Sequence, residues 1–98
     1  MGSDASVPNI SLRQRHNKSP EELRELIKLM ATKLEERYQL NARWLNNDAV
    51  EVARPGINGR ITLGENEVRV EIKLGLMMSA FKSTIESEIS RSMAEKLA

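Results

Sequence analysis

The 98-residue sequence predicts a two-layer α+β domain in the order β-α-β-β-β-β-α, with two helices on one face of an antiparallel curved sheet. Three observations carry this. Val68, Val70, Ile72 and Leu74 alternate with Arg69, Glu71 and Lys73, the period of a half-buried strand. Phe81, Ile85, Ile89, Met93 and Leu97 recur every fourth residue, a narrow helical stripe with charged residues around it. Ser19-Pro20-Glu21-Glu22 carries a capping hydroxyl, a proline at the first helical position and a glutamate where a capping box needs one.

The elements follow in order. Met1 to Pro8 is small and polar and predicts a disordered leader; it lacks the basic and apolar regions of a signal peptide. Residues 9–98 form the single domain. Asn9 to His16 alternates, with Ile10, Leu12, Gln14 and His16 on one face and Ser11, Arg13 and Arg15 on the other. The first helix runs from Ser19 to near Gln39, with Leu23, Leu26, Ile27, Met30, Leu34 and Tyr38 inward. Glu21, Glu22 and Glu25 lie early and Lys33 and Arg37 late, as the helix dipole prefers. Ala42–Leu45 and Asp48–Ala53 flank Asn46-Asn47 as a hairpin. Arg54-Pro55-Gly56 breaks the pattern, Asn58-Gly59 reads as a further turn, and Arg60–Leu63 as a strand. Gly64-Glu65-Asn66 turns into the strand ending at Leu74, and Ser79 is the candidate cap of the last helix. Short turns make the later strands a meander. Placing the first strand beside the last gives the order 1-5-4-3-2, which resembles a truncated helix-grip fold.

Composition narrows the chemistry. With three aromatics, the core has to come from Leu, Ile, Val and Met. A net charge of +1 gives little support for a nucleic-acid partner held by counterion release. The absence of Cys removes disulfides, thiolate catalysis and Cys-based metal sites, and suits a reducing cytoplasm. No apolar run approaches a transmembrane span. No cofactor is expected.

Four features are candidate sites. His16 is the one histidine and stands without a Ser–His–Asp or metal-ligand pattern, so a structural role is favoured over a general base. Gly56, Gly59 and Gly64 read as turn residues and not as a phosphate loop. The charged strand face (Arg13, Arg15, Arg60 and Arg69, with Arg43, Lys73, Glu51 and Glu71) is either a basic surface for an acidic partner or a solvated face laced with ion pairs. The lack of interleaved aromatics favours the solvated face. Leu76, Met77, Met78 and Phe81 lie in the most apolar stretch. They either fill the corner between sheet and helix or form an exposed lip that meets a partner.

Arg15-His16, Arg54-Pro55-Gly56, Gly59-Arg60, Val68-Arg69-Val70, Lys73-Leu74-Gly75, Phe81-Lys82, Ile85-Glu86 and Glu88-Ile89, in that order and spacing, resemble the small polyhydroxyalkanoic acid system proteins, the granule-region family. The resemblance spans Ile10 to Leu97. Members often carry Pro-Leu-Lys-Gly near the start of the last helix, where this chain has Ala80-Phe81-Lys82-Ser83. The resemblance implies a bacterial, polyhydroxyalkanoate-linked protein and transfers no catalytic residue.

Together these readings lead to a non-enzymatic, cytoplasmic accessory protein that binds a partner protein, such as a granule coat protein, or a storage granule surface. Leu76, Met77, Met78 and Phe81 would be its contact. The alternative is an acyl-ligand carrier with a cavity lined by Val68, Val70, Ile72, Ile85, Ile89 and Met93. Self-association as a homo-oligomer, through the last helix or a sheet edge, is a third reading.

Overall fold

The structure, a computed structural model, describes residues 9–97. The expected leader, Met1 to Pro8, lies outside the described residues. The elements are β1 (Ile10–Arg15), α1 (Pro20–Tyr38), β2 (Asn41–Asn46), β3 (Ala49–Arg54), β4 (Ile57–Leu63), β5 (Glu67–Leu74), a 3-10 helix (Leu76–Phe81) and α2 (Lys82–Leu97). One antiparallel sheet has the order β1-β5-β4-β3-β2, as the sequence predicts. Short turns link β2 through β5, so these strands pair consecutively. β1 and β2 occupy opposite edges, and α1 joins them. Its 19 residues span about 28 Å, against about 19 Å across five strands, so a single helix crosses the whole sheet.

Local chemistry sets the ends of α1. Ser19 Oγ accepts from the Glu22 N–H at 3.2 Å. Gln39 closes the helix in the left-handed region, at φ 57°. The Arg54 guanidinium donates to the Tyr38 carbonyl at 2.9 Å and ties this end to β3. Leu23, Ile27, Met30, Ala31 and Leu34 face the sheet; Ile85, Ile89, Met93 and Leu97 do the same from α2. They join the inward residues of all but the β2 edge strand in one buried cluster, which Ala42 and Trp44 of β2 flank. Both helices therefore cover one face and leave the other bare.

Four local expectations are corrected. The first hairpin turns at Asn47-Asp48, one residue later than expected, because the β2–β3 register shifts between Trp44 and Asn46. Asn46 stays in β2, and its Oδ1 accepts from the Asp48 N–H at 2.7 Å. Asn58-Gly59 is no turn but lies within β4, with Gly59 opposite Val52 and Ile72. Ser79 does not cap α2; its hydroxyl donates to the Leu76 carbonyl at 2.8 Å inside the 3-10 helix, and α2 starts at Lys82. Phe81 falls before α2 and is 47% exposed, so it leaves the apolar stripe.

Candidate functional site

The apolar junction is built on the β3–β4 turn. Gly56 takes φ +89° there, the position of Gly in a Pro-Gly type II turn. Its carbonyl accepts from the Gly75 N–H at 2.8 Å, which docks the end of β5 onto the turn. Met78 N–H then bonds to the Gly75 carbonyl at 3.1 Å and starts the 3-10 helix. This geometry separates the apolar residues. Met78 turns inward, packs over Gly56 and joins the edge of the core. Leu76 and Met77 turn outward and are 94% and 89% exposed, with half-exposed Phe81 five residues beyond Leu76. The corner filler and the exposed lip are thus different residues of one stretch. Lys73 and Lys82 are exposed on either side of it in sequence.

The uncovered sheet face is ordered in rows across the strands. One row reads Ser11, Glu71, Arg60, Glu51, Arg43, with base and acid alternating. Arg43 reaches Glu51 at 3.3 Å. The adjacent row reads Arg13, Arg69, Thr62, Ala49 and contains no acid. Arg15 begins the next, opposite Glu67. Glu67 Oε2 lies 3.8 Å from both Arg13 and Arg69, one carboxylate between two guanidiniums. The four arginines named from the sequence therefore divide. Arg60 stands between two glutamates in register, whereas Arg13 and Arg69 share the Glu67 carboxylate and Arg15 lies opposite it with no ion pair among the described residues.

His16 is a latch. Its Nδ1 accepts from the Lys18 N–H at 3.1 Å, and Nε2 donates to the Gly64 carbonyl at 2.9 Å. An amide can only donate, so Nε2 carries the proton. Both ring nitrogens are held by backbone, at the end of β1 against the β4–β5 turn. Among the described residues, no group of three or more His, Asp or Glu is placed to hold a metal.

The residues expected to line a carrier cavity, Val68, Val70, Ile72, Ile85, Ile89 and Met93, belong to the common buried cluster. A groove of about 730 Å³ lies between α1 and α2 and shares only Ile89 with that set. Met30, Leu34 and Ile89 are among its apolar lining residues, and the Arg37–Glu88 ion pair, at 3.0 Å, joins its two walls. The Tyr38 hydroxyl, close to Glu88 and Arg37, is buried and has no hydrogen-bond partner among the described residues. No local pattern announces this groove, because its walls come from helices far apart in sequence.

The family described as "Putative polyhydroxyalkanoic acid system protein" matches residues 10–97. No curated protein and no solved structure matches the chain. No helix among the described residues is long and apolar enough to cross a membrane.

Proposed function

The chain belongs to the polyhydroxyalkanoic acid system protein family, and from that premise we propose that it is a non-enzymatic accessory protein that attaches to the surface of a storage-polymer granule in the cytoplasm through Leu76 and Met77, with Phe81 beside them. The observation that carries this reading is the near-complete exposure of two adjacent large apolar side chains on a short, backbone-anchored 3-10 helix. Scattered exposed leucines such as Leu29 are ordinary, but adjacent ones on a fixed protrusion are not. A protrusion suits a soft apolar phase, into which side chains insert, better than a rigid protein surface that needs a matching hollow. Flanking Lys73 and Lys82 can keep their charges in water while their stems follow the apolar surface.

Magnitude limits the contact. Burying each side chain contributes about 1.5–3 kcal/mol, so the pair gives about 3–6 kcal/mol before association entropy. Attachment by this lip alone is weak and reversible, and lasting residence at a granule needs several copies or a second contact.

Sedimentation with polyester granules tests the proposal, using wild type and Met77→Asp, with circular dichroism as the folding check. The expected result is wild-type binding to both native and protein-stripped granules, lost in the folded variant. Binding to native granules alone means attachment through a coat protein. Unaltered binding by folded Met77→Asp overturns the lip as the contact.

A further inference from the structure

We infer that Arg13, Arg15 and Arg69, at the β1–β5 corner of the uncovered sheet face, form a docking surface for an acidic protein segment, separate from the apolar lip. Register carries the inference. A solvated face with no partner is best served by alternating charges, and the row from Ser11 to Arg43 has that form. The next row departs from it. Arg13 and Arg69 are direct cross-strand partners, a like-charge pairing that opposes folding. Glu67, 3.8 Å from each, serves both, and Arg15 faces the same glutamate. Thr62 and Ala49 continue the row without charge. Two guanidiniums share one carboxylate, a third, Arg15, stands opposite it without an ion pair among the described residues, and further carboxylates would complete the set.

The mixed character of the face selects the partner. Glu51, Glu67 and Glu71 lie among the basic residues and would repel a continuous phosphate backbone. No aromatic residue stands on this face to stack a base; Trp44 pairs with Val50 on the covered side and packs against the core. A protein segment with spaced carboxylates can meet Arg13, Arg15 and Arg69 bidentately and avoid the glutamates. The lip lies beyond Leu74, at the opposite end of β5 from Glu67 and Arg69. The two surfaces can therefore be occupied together.

Fluorescence anisotropy with a labelled Glu-rich peptide tests this on the full chain at low and raised salt, with a single-stranded oligonucleotide of equal charge as the second probe. Arg13→Gln with Arg69→Gln is expected to weaken peptide binding at least about tenfold. Arg43→Gln with Lys73→Gln, which removes the same charge from other rows, should change it by less than about threefold. The first variant should melt close to wild type, because the like-charge pairing and the two exposed contacts to Glu67 are lost together. Equal losses in both variants would reduce the effect to net charge and overturn the site. Tighter binding of the oligonucleotide, lost in the first variant, would overturn the assignment to an acidic protein.

Discussion

Met78 packs over Gly56 so closely that a Cβ placed on Gly56 would stand 2.8 Å from Met78 Cγ. With the Gly75–Gly56 hydrogen bond, this contact joins the β3–β4 turn and the apolar junction into one unit. Gly56→Ala meets two obstacles. At φ +89° the backbone is strained for any L side chain, and the methyl group displaces Met78. The expected loss is about 1–3 kcal/mol. Thermal melts of both single variants and the double variant with Met78→Ala separate the two terms. In the Met78→Ala background the loss should shrink to the backbone part. An unchanged loss would mean that Met78 does not constrain the turn.

Gly59 is required for a different reason. Its φ is ordinary, but a Cβ there would lie 2.9 Å from Ile72 Cγ1 and 3.0 Å from Val52 Cγ2. Both are buried cross-strand partners. Mid-strand Gly→Ala would otherwise help by about 0.5–1 kcal/mol. Here overpacking should win and lower stability by about 1 kcal/mol or more. Urea denaturation should show the midpoint falling, and falling less when Gly59→Ala is made in a Val52→Ala background, which is itself less stable. A raised midpoint for Gly59→Ala alone would contradict the packing account.

The contrast between these glycines marks where a sequence stops being readable. Asn58-Gly59 has the composition of a tight turn, yet Gly59 serves a close approach between strands that only the register reveals. Pro55-Gly56, three residues earlier, is the turn. Long periodic segments were legible because each residue repeats the same signal, as in β5 and α2. The meander follows from the short links; of its two free edges, β2 and β5, the sequence reading puts β1 beside β5, and the pairing agrees. The bulge near Trp44 and the late start of α2 depend on which atoms meet, and single residues do not encode that. The junction was legible as apolar, but its division into inward Met78 and outward Leu76 and Met77 depends on Gly75 docking onto Gly56. The charged face was legible as a list of residues. Its split into a compensated row and an arginine-rich corner needed the cross-strand register.

His16 should prove structural. Its ring joins the residue after β1 to the β4–β5 turn, beside the His16 N–H to Asn66 carbonyl bond at 3.0 Å. His16→Ala leaves the Lys18 N–H and Gly64 carbonyl without these partners and should lower stability by about 1–3 kcal/mol. Amide hydrogen exchange should quicken at Lys18 and His16 before the centre of β5 responds. Wild-type exchange at both amides in the variant would refute the latch.

Tyr38 makes the fold sensitive to alkali. Burial raises its hydroxyl above the ordinary value of 10, the nearby Glu88 carboxylate acts in the same direction, and Arg37 opposes them. The raised value fixes the sign. Below the unfolded-state value, near 10, both states hold the proton and Tyr38 leaves stability unchanged with pH. As pH rises, the unfolded chain ionises first, so stability falls until the folded-state value is passed. Tyr38→Phe should remove this part of the alkaline decline, seen as the difference between urea midpoints of the two proteins across that range. At neutral pH the same variant should be no less stable than wild type, because the lost hydroxyl is buried without a hydrogen bond. Since Tyr38 is the chain's one tyrosine, tyrosinate absorbance reports its ionisation directly. Glu88→Gln removes the neighbouring negative charge and should bring that titration down toward 10. An alkaline decline that persists undiminished in Tyr38→Phe would assign it to other groups.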